Sequence, residues 1–157
     1  MAIEKVREYF RSLGMEDRVI EFATSSATVE LAAQAAGTEP CRIAKTLSFL
    51  LEDGPILIVT AGDAKIDNAK YKAKFSTKAK MIPFEEVEVR IGHGVGGVCP
   101  FAIHEGVRVY LDESLQRFTT VFPACGSSNS AIELTCAELE QYSCAFVEWV
   151  NVCKGWE

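Results

Sequence analysis

Three parts of this sequence could do chemistry: a lysine in an apolar run, a glycine-rich loop ending in Cys-Pro, and a small polar cluster. Lys45 stands between Ile43-Ala44 and Thr46-Leu47. An unpaired buried ammonium is costly. Such a lysine therefore either snorkels to water at the strand end or is a fixed cation facing a pocket, ready for a phosphate or a carbonyl oxygen. The segment Gly92-His93-Gly94-Val95-Gly96-Gly97-Val98-Cys99-Pro100 packs four glycines into six residues. Glycine loses the most backbone freedom on folding, so this density signals positive φ or close approach of another group to bare backbone. Pro100 fixes the exit and holds Cys99 extended. The loop is either a tight turn or a rigid set of N–H groups that could cradle an anion or polarise a carbonyl. Gly126-Ser127-Ser128-Asn129 supplies short donors and acceptors, the material of Asx and Ser turns or of polar ligand contacts.

Other chemistries fit less well. Gly92-x-Gly94-x-x-Gly97 matches the dinucleotide fingerprint in letters only, because that fingerprint follows a strand and opens a helix. Here a helix is expected before it and Val98-Cys99-Pro100 follows. No Gly-Lys-Ser/Thr is present, which excludes a Walker A loop. Cys99 with His93 or His104 could form a thiol nucleophile and base, but no third orienting group stands in an obvious place. The alternative is a buried thiol beside a proline. The six cysteines contain no C-x-x-C pair, so neither a metal nor a disulfide framework is expected.

With 157 residues, 48% hydrophobic and 24% charged, the chain reads as a single soluble domain spanning 1–157. No apolar run approaches the roughly 20 residues of a membrane span, and the N-terminus lacks a signal-peptide core. A cytoplasmic protein is expected. The net charge of −6 argues against a general nucleic-acid coat. Its distribution is uneven, however. Lys65, Lys70, Lys72, Lys74, Lys78 and Lys80 face the single acid Asp67, a local charge of +5. This is either a solvated helix face or a docking site for a polyanion.

The elements that would position these groups follow from periodicity. Ile3, Val6, Phe10 and Leu13 predict a helix from Ala2 to Leu13, closed by Gly14. Arg18 to Ala23 reads as a strand, and Ser25 or Ser26 as the cap of a helix running to Gly37. Ile43–Leu51 and Pro55–Ala61, joined across an Asp-Gly turn, predict a β-hairpin. Helices are expected over Ala64–Phe75 and from Pro83 to about Val89, and strands over Val107–Leu111, Phe118–Phe122 and Ser130–Leu134. Thr135-Cys136-Ala137-Glu138 reads as a capping box opening a last helix, and a strand from Phe146 to Val152 closes the chain. Without strict βαβ alternation an α+β fold is expected: a mixed, largely antiparallel, curled sheet flanked by helices.

The ordered set Ile43-Ala44-Lys45-Thr46-Leu47, Gly96-x-x-x-Pro100 and Gly126-Ser127-x-Asn129-x-x-Ile132, with the helix Thr28-x-x-x-Ala32-Ala33, resembles the YbaK/ProX family. These are trans-acting editing proteins related to the editing insertion of bacterial prolyl-tRNA synthetase. The resemblance covers about Thr28 to Leu139. It implies a partly barrel-like sheet, no metal or cofactor, and hydrolysis of the ester joining a wrongly attached amino acid to the 3′-terminal adenosine of tRNA. It further implies Lys45 as the catalytic cation in the pocket. Thr28, Thr46, Gly96, Gly97, Val98, Cys99, Pro100, Ser127, Ser128 and Asn129 would be substrate-binding positions. The backbone of Gly96–Val98 would hold the carbonyl or amino-acid backbone, and Asn129 the amino group or water. The implied partners are the acceptor end of aminoacyl-tRNA, which gives the lysine cluster a polyanion to bind, and prolyl-tRNA synthetase. The edited amino acid would be cysteine, alanine or another small one. Family members often carry a histidine shortly before the threonine matching Thr28; Phe22-Ala23-Thr24 stands here instead. The competing reading is a non-catalytic tRNA- or synthetase-binding module on the same fold.

Overall fold

The computed structural model describes residues 2–156. The chain opens with α1 (Ala2–Ser12), whose Ile3, Val6 and Phe10 are buried, then the short strand β1 (Val19–Glu21) and helix α2 (Val29–Ala36). A long hairpin follows, β2 (Ile43–Leu51) and β3 (Gly54–Ala61), then β4 (Lys65–Ile66) and α3 (Asn68–Phe75). After a 3-10 turn, α4 (Val87–Ile91) leads into the glycine loop. The remainder comprises β5 (Arg108–Asp112), β6 (Thr120–Pro123), β7 (Ser130–Ile132), β8 (Leu134–Thr135), α5 (Cys136–Tyr142), β9 (Phe146–Val150) and β10 (Cys153–Lys154).

Six strands form a curled half-barrel in the order β8-β6-β2-β3-β5-β9. Two small antiparallel pairs, β1 with β7 and β10 with β4, extend it. Four of the seven ladders are antiparallel; β2–β6, β3–β5 and β5–β9 are parallel. The centre is β3, where Ile56, Leu57, Ile58 and Val59 are all fully buried. A continuous β-branched and leucine run without alternation is what a strand covered on both faces requires. Phe10 closes one side of the core edge-to-face on Phe101, with ring centroids 4.9 Å apart.

Local corrections to the sequence reading have simple causes. Thr28, not Ser25 or Ser26, caps α2, its side chain accepting from the Leu31 N–H. Ser25 Oγ instead accepts from Ala27 N–H within its own turn, and Ser26 N–H donates to Ser128 O. The helix expected over Ala64–Phe75 starts only at Asn68. Asp67 caps it, and the preceding Lys65–Ile66 is drawn into pairing with Cys153–Lys154. The helix expected from Pro83 becomes a 3-10 turn, Phe84–Glu86, before α4. The capping box at Thr135 and Glu138 forms as read.

The feature that matters most is a gap in the sheet. On the side away from β3, β2 pairs with β6 only at Ile43 and Ala44. Further along, the same edge is taken by the 80–82 segment: Leu50 N–H donates to Lys80 O and Ile82 N–H to Ser48 O. Between these ladders Lys45, Thr46 and Leu47 have no strand neighbour on that side among the described residues. Backbone groups alternate along a strand. Because Ser48 and Leu50 bond outward to the 80–82 segment, Thr46 also turns its N–H and C=O toward the gap.

Candidate functional site

A cavity of about 370 Å³ occupies this gap. Its floor is the Lys45–Ser48 stretch of β2; its walls include Thr28 and Ala32 of α2, Phe122 of β6, and Gly96 and Val98 of the glycine loop. The lining is chiefly apolar, with a few polar groups, the usual make-up of a small-molecule site.

Lys45 lies half-buried at the end where α2 begins. Its Nζ donates to Gly62 O at 3.4 Å, and Gly62 lies close against the Pro40 carbonyl and Val29. Burial pushes the ammonium's pKa down, opposed by the nearby Cys153 thiol and Asp63. A partly dehydrated cation held among the described residues by one long hydrogen bond retains most of its donor capacity for another oxygen. Thr28 fixes α2 by its cap and lines the same cavity. The hydroxyls Ser26 Oγ and Thr46 Oγ1, on two cavity-lining residues, are buried without a protein partner among the described residues.

The glycine loop is held from behind by the Ser-Asn loop. Gly126 N–H donates to Gly97 O at 3.0 Å. A Cβ on Gly97 would lie 2.5 Å from Ser127 N, so the glycine is required by close approach of backbone to backbone. Gly96 has φ +97, the left-handed region that favours glycine. The Gly97 N–H is spent on Gly94 O. Gly96 and Val98, whose N–H groups make no such bond among the described residues, border the cavity.

The structure therefore divides the expected substrate-binding positions. Thr28, Lys45, Thr46, Gly96 and Val98 meet at the cavity. Gly97, Cys99, Pro100, Ser127, Ser128 and Asn129 lie outside its lining and form the support. Asn129 Nδ2 donates to Phe22 O while Ser127 Oγ donates to Asn129 Oδ1, a clasp between the residue after β1 and this loop. Pro100 O accepts from Cys144 N–H. Residues that sequence reasoning passed over, among them Ala27, Leu47, Ile82 and Phe122, also line the cavity. They carry no local signal beyond being apolar, and only the gap between β2 and β6 makes them walls.

Cys99 is not a nucleophile. It is fully buried, and burial pushes its thiol up to about 12. His93 Nε2 lies 2.6 Å from Phe101 O and 3.5 Å from Cys99 Sγ. At the shorter distance that nitrogen carries the proton it donates to Phe101 O, so it cannot accept one from sulfur. Iodoacetamide at pH 8 is therefore expected to leave Cys99 unmodified in the native protein and to alkylate it in denaturant. Peptide mass spectrometry checks this. Native-state labelling of Cys99 would overturn the assignment.

The six lysines of the basic stretch differ in what they engage. Lys70 Nζ donates to Cys153 O and Asn151 Oδ1, and Lys74 pairs with Glu148. Lys72 and Lys78 line a second hollow with Asn68, Ala69 and Ala79, while Lys65 and Lys80 are exposed. Among the described residues no group of three or more His, Cys, Asp or Glu side chains is arranged to hold a metal. No helix among them is long and apolar enough to cross a membrane.

The sheet is curled and mixed, split between β2 and β6, and residues of the lysine strand and of the glycine loop line the split. The sequence model of the aminoacyl-tRNA editing domain matches residues 23–142. The chain belongs to this family, of the YbaK/ProX type. It is 55% identical to the protein YwhH of Bacillus subtilis (strain 168) over 158 residues, covering 100% of each chain. A crystal structure of a candidate trans-editing enzyme for prolyl tRNA synthetase superposes with TM-score 0.87 at 28% identity, covering 98% of both chains. The crystal structure of the protein APE2540 superposes with TM-score 0.83 at 26% identity, covering 96% of this chain and 99% of that one.

Proposed function

We propose that this chain is a deacylase that acts in trans on mischarged tRNA, hydrolysing the ester between a small amino acid and the 3′-terminal adenosine. The observation that carries this reading is the cavity bounded by Lys45 on one side and the Gly96–Val98 backbone on the other, in a chain of the editing family. Its volume of about 370 Å³ suits an amino acid with part of a ribose.

An aminoacyl ester is already activated, so positioning and charge stabilisation suffice. In this mechanism the Gly96 and Val98 N–H groups donate to the carbonyl oxygen as it becomes an oxyanion. Lys45 holds that oxygen or the terminal phosphate. Thr46, with its main-chain groups turned into the gap, aligns the amino-acid backbone. Water attacks the ester carbon; the tetrahedral intermediate then collapses by breaking the bond to the ribose oxygen. That oxygen takes up a proton, giving free amino acid and a tRNA hydroxyl. With cysteine as substrate its own thiol could attack in place of water, closing a thiolactone as the bond to the ribose oxygen breaks and the thiol proton passes to that oxygen; water then opens the thiolactone to free cysteine. The substrate fitting both the apolar walls and the likeness to a candidate trans-editing protein is tRNA misacylated by prolyl-tRNA synthetase with cysteine, alanine or another small residue. The site of action would be the cytoplasm.

A deacylation screen of the purified protein against many aminoacyl-tRNA pairs tests this. Expected is turnover of one or a few small amino acids, with roughly 10–200-fold discrimination for each added methylene. Binding of tRNA without turnover of any ester would replace the deacylase with a non-catalytic recruiting module.

A further inference from the structure

Beside the cavity mouth lies a surface that the ester chemistry does not use. Met81, Phe84 and Val95 all border the cavity, yet they are 56%, 74% and 52% exposed. Exposed apolar groups gathered around a pocket mark a binding surface. Phe84 is not loose. Ile82 and Val87 on either side are buried, and the turn is closed by Glu86 N–H donating to Pro83 O at 2.9 Å. An aromatic ring is thus held out to solvent on a pinned turn, at the entrance to the site.

The charges around it have a direction. On the N-terminal side of Phe84 stand Lys72, Lys78 and Lys80, exposed and with no ion-pair partner among the described residues. On the C-terminal side stand Glu85, Glu86 and Glu88, of which Glu86 is paired with Arg90. Lys72 and Lys78 line one hollow and Lys80 adjoins the cavity-lining Met81, so a polyanion is drawn toward the mouth over the lysines rather than over the glutamates. A basic track leading to an exposed aromatic ring is how proteins hold single-stranded nucleic acid: cations follow the phosphates and the ring takes a base by its face.

We propose that the single-stranded 3′ end of the tRNA acceptor runs over Lys72, Lys78 and Lys80. Its terminal adenine packs on Phe84, so that the ester beyond it enters the cavity. This rests on the deacylase reading above and adds a positioning residue to it.

The test compares two esters of the same amino acid, the mischarged tRNA and the amino-acid methyl ester, which has no base. Phe84→Ala is expected to lower the ratio of kcat/KM between tRNA and methyl ester by about 5- to 150-fold, the worth of one stacked base. Phe84→Trp should restore the ratio. Val89→Ala, an exposed residue on α4 outside the cavity lining, should leave it unchanged. In Lys78→Gln/Lys80→Gln the dependence of log kcat/KM on log salt should flatten by about 0.7 per lysine. An unaltered ratio in Phe84→Ala, or equal losses on both esters, would overturn the stacking role. An unaltered salt slope would overturn the track. Should the wild type cleave neither ester, the deacylase reading fails on its own. Stacking is then read from fluorescence anisotropy of an uncharged RNA ending in 3′-CCA, where weaker binding by Phe84→Ala supports it and equal binding overturns it.

Discussion

Gly97→Ala is expected to destabilise the protein by about 3 kcal/mol, the upper part of the overpacking range, and to lower Tm by roughly 6–12 °C for a chain of this length. The added Cβ would sit 2.5 Å from Ser127 N, 2.6 Å from Gly126 C and 2.8 Å from Ser127 Cα. All three are backbone atoms, so no rotamer change relieves the contact. Nor can the second loop retreat. A Cβ at Gly126 would itself come within 2.9 Å of Ala2 C, which shows how tightly that loop is backed by the start of α1. The two loops must separate, breaking the bond from Gly126 N–H to Gly97 O and displacing the Gly96 and Val98 amides. Deacylation should fall with stability. Gly94→Ala is the control, since its nearest new contact is a Glu88 side-chain oxygen at 3.8 Å. Thermal denaturation of both variants decides the matter: equal Tm values would mean that the loop contact is not tight.

Lys45→Met is expected to reduce kcat/KM for mischarged tRNA by roughly 100-fold or more, comparable to removing an oxyanion donor, with Tm shifted by only about 2 °C. The methionine keeps the packing of the aliphatic stem against the cavity while deleting the charge. Stability should change little, because the ammonium's hydrogen bond to Gly62 O is long at 3.4 Å and burial already opposes its charged form. Loss of rate without loss of fold separates a cation acting on substrate from one that holds α2 in place. Wild-type turnover by Lys45→Met would remove the lysine from the chemistry. A large fall in Tm would mark it as structural.

Much of the fold is legible in local patterns, for identifiable reasons. The helical spacing of Ile3, Val6 and Phe10, the unbroken apolar run of β3 and the Thr135–Glu138 capping box each involve neighbours in sequence, and each forms as read. Where expectations slipped, a distant segment competed. Lys65–Ile66 left a helix to pair with Cys153–Lys154, and Ser26 gave its backbone to Ser128 rather than to α2. Asn129 stands in the motif that marks the family, yet its side chain is committed to Phe22 O and Ser127. Motif membership alone could not tell a clasp from a ligand contact.

By itself the sequence determined which groups are chemically costly and must be accounted for: a lysine in an apolar strand, four crowded glycines, and a polar cluster before a strand. Their order along the chain also determined the family. Only the tertiary structure decided which of them share a cavity, because the cavity is an interruption between strands rather than a property of any strand. β2 leaves β6 after Ala44 and meets the 80–82 segment only at Ser48. The space between those ladders brings Lys45, Thr46 and the edge of the glycine loop to one cavity, with Phe84 on its border.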